Sequence, residues 1–540
     1  MSVQEAVDAL RAVDSDDPAV AEVALAALEQ LRDSDPAHVR DAVHQLAEAE
    51  VAEAALAPDE WSNWNGVQRS IPLEVFEPQT QALLRDQMRH MVEQSGQRLK
   101  ANAAGHSTSA VARPDDGKYG INLNKLNKKL PRRWEKSVLP LYARGADSDL
   151  FRVQAGVSIE DLSKKLHADG LALPNTGSFD EQHVFGALCT GTHGSGLAFP
   201  TLADIVMSLE MFAVVNTPKG KRIRRYRIER TDGITDPAKL PKRQILVQDD
   251  DVFNAAVVSF GTFGVVTALT LKVVKKFWLR ETREFMLWSA LKPQLSQIAH
   301  SADHVDIHIN PYRKDGDNSC VIIRRQRIPW KNGPITDRPN DQEFLRFFAR
   351  TFGTDVLGKM ASEFPAVVAN GIDGYCKKNE PYEGPSYKVL ITGYGRSVKA
   401  TSSEFAVSLG KGGEMVQTVL DAAHSRRKGP RKKQIRHSSP LGLRFVKRST
   451  QLLSQHADGL NATLEIPFVK GTRNREQSLD LYESLLSDAR PHWGQRTSID
   501  GARAAALYGP KWTKWLESYD RFNTTGVFNN RFTDQLGIDR

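Results

Sequence analysis

Two stretches of small and hydroxyl-bearing residues are the parts of this chain best suited to chemistry. The first is Ala103-Ala104-Gly105-His106-Ser107-Thr108-Ser109, directly after the strand-like run Arg98–Ala101. The second is Thr190-Gly191-Thr192-His193-Gly194-Ser195-Gly196, preceded by Leu173-Pro174-Asn175-Thr176-Gly177-Ser178. Runs of small residues let backbone N–H groups converge on an anion, and Ser and Thr hydroxyls add donors. Two such loops suit a pyrophosphate. Neither ends in Gly-Lys-Ser/Thr and neither reads Gly-x-Gly-x-x-Gly, so the Walker loop and the Rossmann fingerprint are excluded. Singly, each loop also reads as a plain turn. The pair, each set behind a β-like run, is the more specific signal.

Elements must hold these loops in place. Gln79–Glu93 and Ile159–Ala168 have helical spacing, and Phe151–Ala155, Ile205–Val215 and Val257–Val273 read as strands. This alternation predicts an α+β architecture with crossover helices over residues 59–277. Residues 278–490 read as a second mixed region with an amphipathic stretch at 341–366, and residues 491–540 as an aromatic tail packed back on the body. Residues 1–58 carry Ala, Leu and Glu at helical spacing, with Asp-Pro pairs at 17–18 and 35–36 that suit helix starts. They predict a short helical extension.

Composition narrows the class. The 540 residues suffice for two to four domains at about 150 residues each. No run reaches the roughly 20 apolar residues of a membrane span, and MSVQEAVDAL lacks the basic and apolar regions of a secretory leader. Cys189, Cys320 and Cys376 show no Cys-x-x-Cys spacing, which argues against a disulfide framework and a cysteine zinc cage. The expectation is a cytoplasmic enzyme with no metal. The net charge of +8 hides an acidic start, with 15 Asp/Glu against three Arg in residues 1–60. That arm either neutralises the basic body or offers a self- or partner contact. Basic clusters at Lys125–Lys136, Lys219–Arg230 and Arg426–Arg436 lack interleaved aromatics, so they read as solvated loops rather than a nucleic-acid surface.

The order of motifs resembles the vanillyl-alcohol oxidase superfamily (PCMH-type FAD-binding flavoproteins), most closely its aldonolactone oxidase and alditol oxidase branch. Trp61-Ser62-Asn63-Trp64, Gly105-His106-Ser107, Leu171-Ala172-Leu173-Pro174-Asn175, Thr190–Gly196, Ser259–Thr267 and Arg490-Pro491-His492-Trp493-Gly494 carry it, over residues 60–540. The resemblance implies a bipartite FAD-binding domain (59–277 with the 491–540 return) and an α+β substrate, or cap, domain (278–490). FAD would lie against Ala103, Ala104, Gly105, Ser107 and Thr108, against Gly177 and Ser178, and against Thr192, His193, Gly194, Ser195 and Gly196. Val265 or Val266 would sit by its adenine half, with His492 also in the cofactor set. His106 stands where relatives bond the flavin covalently; the alternative is a loop histidine giving a hydrogen bond. His193 reads as a structural neighbour of the loop, and Cys189 as a small buried residue displaced from the place of a second flavin bond. Glycine at 177 leaves the flavin edge open to oxygen, unless it only serves its turn.

The substrate positions depart from the branch. Arg444 is kept in Pro440–Arg444, but Gly442 replaces a glutamate, Glu465 a histidine and Gln495 a lysine. The catalytic set is therefore Glu465, Arg444, Ser178 and Gln495. Glu465 is a general base with Arg444 stabilising the alkoxide, an anchor for a cationic substrate, or a structural partner of a basic residue. The expected activity is oxidation of a CH–OH group of a sugar-like or specialised metabolite, with O2 reduced to H2O2. A dehydrogenase or C–N oxidising enzyme of the same fold is the alternative, and a non-enzymatic interaction protein on the flavoprotein scaffold is the third reading.

Overall fold

A computed structural model describes residues 60–93, 97–130, 137–140, 142, 149–336, 354–392 and 398–538. The N-terminal helices expected in 1–58, the end of the Lys125–Lys136 cluster and the start of the 341–366 stretch lie outside the described residues.

Two sheets carry the first part. Glu74–Phe76 (β1), Leu99–Asn102 (β2) and Tyr119–Asn122 (β3) form a parallel sheet in the order β1-β3-β2. Leu150–Gln154 (β4), Val206–Thr217 (β5), Gly220–Glu229 (β6), Gln244–Gln248 (β7) and Val265–Lys272 (β8) form a second sheet, β7-β6-β5-β8-β4, antiparallel except for β7 on β6. The helices Gln81–Glu93 (α1), Ile159–Ala168 (α2), Val184–Cys189 (α3) and Asp250–Ala256 (α4) join them. Ser158 caps α2 by accepting from the Asp161 N–H, and Asp249 caps α4 by accepting from Val252. The strand expected over 257–273 is shorter. Residues 257–264 turn instead, because Phe260, Gly261 and Gly264 all take positive φ.

The second part is built on an eight-stranded antiparallel sheet. Its strands are Trp278–Leu287 (β9), His304–Lys314 (β10), Asp317–Ile328 (β11), Tyr382–Pro385 (β12), Ala400–Ser408 (β13), Leu441–Val446 (β14), Asn461–Val469 (β15) and Arg490–Pro491 (β16). Their order is β12-β9-β11-β10-β14-β15-β13-β16. Strand periodicity divides its faces. Val305, Ile307 and Ile309, Leu441, Leu443 and Phe445, and Ala462, Leu464, Ile466 and Phe468 pack into one apolar core with helices Gly412–Ser425 (α7) and Arg475–Leu485 (α8). The alternate positions, including Asp306, His308, Gly442, Arg444 and Glu465, line a cavity on the other face. Thr354–Glu363 (α5) and Pro365–Lys377 (α6) cover part of that face.

The last residues return to the first part. Trp493, Ile499, Trp515, Tyr519, Phe522, Phe528 and Phe532 belong to the same core as β4, β5 and β8. Trp515 Nε1 donates to the Val258 carbonyl at 3.1 Å, so the helix Pro510–Phe522 is pinned to the 257–264 turn. Among the described residues no helix is long and apolar enough to cross a membrane.

Candidate active site

One cavity of about 680 Å³ runs from the glycine-rich loops to the cap sheet. That is within the roughly 300–1,000 Å³ of small-molecule sites. The first loop leaves β2 and is held from both ends of the chain. Trp64 N–H donates to the Gly105 carbonyl at 2.8 Å, the Asn63 amide to the Ser107 carbonyl at 2.8 Å, and the Gln68 amide to the Thr108 carbonyl at 2.9 Å. From the far end, the Ser109 hydroxyl donates to the Trp493 carbonyl at 2.6 Å and Thr108 N–H to the Gly494 carbonyl at 2.8 Å. Gly105 sits at φ +66°, where a Cβ would also press on Asn63 at 3.4 Å. Ala103 to Thr108 all line the cavity.

His106 stacks on Trp64 with ring centroids 5.2 Å apart. Its Nε2 lies 3.5 Å from a Glu181 carboxylate oxygen, yet among the described residues neither buried ring nitrogen makes a hydrogen bond. Burial pushes its pKa down to about 4 despite the charge of Asp180, so the ring is neutral near pH 7. The Thr108 hydroxyl, the Asn102 amide and His183 Nδ1 are likewise buried in this wall with no hydrogen-bond partner among the described residues. Buried polar atoms are seldom left so, and a row of them along a small-residue loop is what a polar, extended ligand completes. The residues present fit FAD.

The second loop divides its work. Gly177, Ser178, Thr192 and His193 line the cavity. Gly194, Ser195 and Gly196 do not, contrary to the sequence expectation. Gly194 is packed under Asn175 and Thr176, with no space for a Cβ. The Ser195 hydroxyl donates to the Val305 carbonyl and accepts from Phe445 N–H, and Gly196 N–H donates to the Phe445 carbonyl at 2.7 Å. These residues tie the loop to β10 and β14. Val265 and Val266 are a further correction: both are buried in β8, paired with β5, and it is Phe260 and Gly261 of the same motif that reach the cavity. Cys189 lines the wall, its thiol pushed up to about 12 by burial.

The four residues assigned to catalysis meet at the junction of loops and cap. Arg444 Nη2 donates to the Ser178 hydroxyl at 3.2 Å, and its Nη1 lies 3.4 Å from Glu465 Oε2. Glu465 Oε1 accepts from the Ser402 hydroxyl at 3.2 Å and from the Gln495 amide at 3.5 Å. Gly442 pairs directly with Glu465 across β14 and β15, and the space left by its missing side chain adjoins the Glu465 carboxylate.

Sequence reading did not single out Glu404, Asp306, His308 or Arg325, which share the face. Glu404 is the cross-strand partner of Glu465 and accepts from the Gln455 amide at 2.7 Å, with His193 Nε2 at 2.9 Å. Asp306 pairs with Arg325, which also donates to Glu281 at 2.8 Å. Polar residues alternating with buried aliphatics in His304–Asn310 were the available signal. The two glutamates diverge. Burial would raise the Glu404 carboxyl, but the His193 contact, with Arg444 near, holds it below the usual carboxylate range. Burial and the Glu404 charge raise the Glu465 carboxyl, offset only in part by Arg444. Carboxylates whose environments push them apart take different roles. Glu404 is the fixed anion, and Glu465 the one able to take up a proton.

Residues 72–224 match the FAD binding domain model, and residues 269–536 match the D-arabinono-1,4-lactone oxidase model. The chain is similar to the L-gulono-1,4-lactone dehydrogenase of Mycobacterium tuberculosis, with 24% identity over 88% of this chain and 98% of that one. It is 32% identical to the alditol oxidase of a Streptomyces species over 40% of this chain and 42% of that protein. A crystal structure of cholesterol oxidase from B. sterolicum superposes with a TM-score of 0.65 at 15% identity, covering 91% of this chain and 98% of the other.

Proposed function

Since this chain belongs to the vanillyl-alcohol oxidase superfamily of FAD-dependent oxidoreductases, in the aldonolactone and alditol oxidase branch, we propose that it oxidises a sugar-like CH–OH group to C=O. The observation that carries this is the Ser178–Arg444–Glu465 contact, which sets a proton acceptor and a fixed cation beside the cofactor loops. Bound FAD would supply a two-electron hydride acceptor, and with O2 as the final oxidant two electrons and two protons would leave as H2O2. Ala103 to Thr108, Gly177, Ser178, Thr192 and His193 would hold it, and the neutral ring of His106 would serve as its covalent anchor.

The chain's own part is proton transfer and charge placement. Glu465 takes the proton from the hydroxyl oxygen, while the hydride would leave the carbon that bears this hydroxyl. Arg444 donates to the developing alkoxide, with Glu404 and Asp306 fixing its position from 3.7 and 3.8 Å. Ser178 and Gln495 orient the substrate oxygens. Gly177 presents no Cβ toward the loop junction, which keeps an oxygen path open. Its buried free cysteines suit a reducing compartment such as the cytoplasm, and its acidic N-terminal residues would serve a self- or partner contact.

The test is anaerobic titration of the yellow protein with alcohols, polyols, lactones and amines, followed by admission of air. Bleaching by an alcohol and prompt recolouring with peroxide release is the expected result. Bleaching with slow recolouring would favour a dehydrogenase, and bleaching by amines alone would overturn the CH–OH reading.

A further inference from the structure

The cavity does not end at Glu465. Beyond the charged floor it widens into an annex walled by α5 and α6. Leu357, Met360 and Phe364 on α5 and its end, and Val368 and Ile372 on α6, turn toward it at helical spacing. Pro467 and Ile323 continue the apolar wall on the sheet side. Tyr375 marks the border, its hydroxyl 2.6 Å from His308 Nδ1. Gly371 and Gly374 border this space at its solvent-exposed edge, and a Cβ at either would meet no atom within 4 Å. Asn370, Ser438 and Ser439 also line the cavity, but along the apolar stretch of this wall a polyol's hydroxyls would lose water without finding partners.

Of the basic residues lining the cavity, the floor arginines Arg325 and Arg444 are paired with carboxylates, and Lys378 lies at the exposed rim. Arg325 bonds both Asp306 and Glu281, while Arg444 faces Glu465, Glu404 and Asp306. Every arginine of this floor already has a carboxylate within 4.0 Å, so a carboxylate or phosphate on the substrate would meet repulsion rather than a free guanidinium.

We infer that the substrate is an uncharged amphiphilic alcohol, whose reacting CH–OH lies at Glu465 and Arg444 while an apolar body occupies the annex between α5 and α6. The placing of the hydroxyl rests on the proposed function, but the annex and the paired arginines of the floor do not. The occupant is thus an alkyl-, aryl- or terpenoid-bearing polyol or glycoside rather than a free sugar, sugar acid or sugar phosphate. Each methylene taken out of water is worth about fourfold in affinity, so three seated in the annex give about 60-fold.

Binding, read from perturbation of the flavin spectrum under argon, tests this without requiring turnover. The probes are methyl β-D-glucopyranoside, hexyl β-D-glucopyranoside and hexyl β-D-glucuronide on the flavin-loaded full chain. Hexyl glucoside should bind at least about 30-fold more tightly than methyl glucoside, and the glucuronide at least tenfold more weakly than hexyl glucoside. Gly374→Leu, which sets a bulky side chain at the mouth of the annex on a helix where leucine is well tolerated, should abolish the hexyl preference and leave the methyl Kd unchanged. Gly371→Leu is the second variant should the first fail to fold. Equal binding of the two glucosides, preference for the glucuronide, no binding of any probe, or a hexyl preference untouched by both leucine variants would overturn the inference. Whether a bound probe bleaches the flavin bears only on the proposed activity.

Discussion

Glu465 and His106 are two residues whose chemistry follows from what surrounds them rather than from what they are. Glu465 lies between a cation that favours its charge and a neighbouring carboxylate that opposes it. A general base must be ionised, so flavin reduction should fall as pH drops through an apparent pKa above the ordinary carboxylate value of about 4.3. Glu465→Gln should flatten that acid limb and slow reduction by about 10²–10⁴-fold, with FAD content unchanged; stopped-flow traces across pH read both. A pH-independent rate in the unmodified protein would remove the proton-acceptor role. For His106, burial keeps the ring neutral and no hydrogen bond from the described residues occupies its nitrogens. Denatured protein should keep its flavin fluorescence on a gel and His106→Ala should lose it, whereas flavin freed by acid from the unmodified protein would discard the covalent link. Gly177→Ala places a Cβ 3.2 Å from the His193 carbonyl, tight but not prohibitive. It should slow reoxidation more than reduction. Equal slowing of both would assign this glycine to its turn alone.

At the scale of elements, the 190–196 loop is a joint between two sheets. Its first half faces the cavity and its second half is stitched to β10 and β14. Gly196 has φ +126°, and a Cβ there would lie 2.7 Å from the Asp303 carbonyl. Gly196→Ala should therefore cost on the order of 1–3 kcal/mol and lower the thermal midpoint, while the neighbouring Gly191→Ala, with open space around it but φ +84°, should cost less. Equal midpoints for the two variants would mean that the stitch to the cap contributes little. By contrast Gly442→Ala would meet Glu465 only at ordinary contact distance, 3.8 Å, and should fold normally. The motif Thr190–Gly196 was legible in the sequence as a loop of small residues. Its division into cofactor wall and inter-sheet stitch was not, since nothing in the loop encodes which strand will pass beside it.

Across the whole molecule, several histidines are folded in neutral. Burial pushes His304, His308 and His492 down to about 4 and His437 to about 3. The unfolded chain protonates such residues near pH 6.5, so below that pH it binds more protons than the native state. Stability is then full above about pH 7 and is lost progressively as pH falls from about 6.5 toward 4. Scanning calorimetry should show the midpoint falling between pH 6.5 and 5, before ordinary carboxylates titrate. A midpoint constant down to pH 5 would show that these rings are protonated in the native state. The C-terminal return belongs to this scale too. Trp515 and Phe522 complete the core of the first part from the end of the chain, and Trp493 hands a carbonyl to Ser109 of the first loop.

The sequence by itself determined the FAD-binding family, the α+β class and the two cavity-facing loops, because glycine-rich turns and strand alternation are local and carry their meaning in a few neighbouring residues. It also named Glu465, Arg444, Ser178 and Gln495, which the fold brings to one junction. Only the tertiary structure decided that Glu404 stands across the strand from Glu465 and separates the two carboxyls. Only it took Val265, Val266 and Gly194–Gly196 out of the cavity, and opened the apolar annex beside Gly371 and Gly374. Strand pairing and helix packing join residues far apart in the chain, and a side chain's neighbours across a sheet leave no mark in its own stretch of sequence.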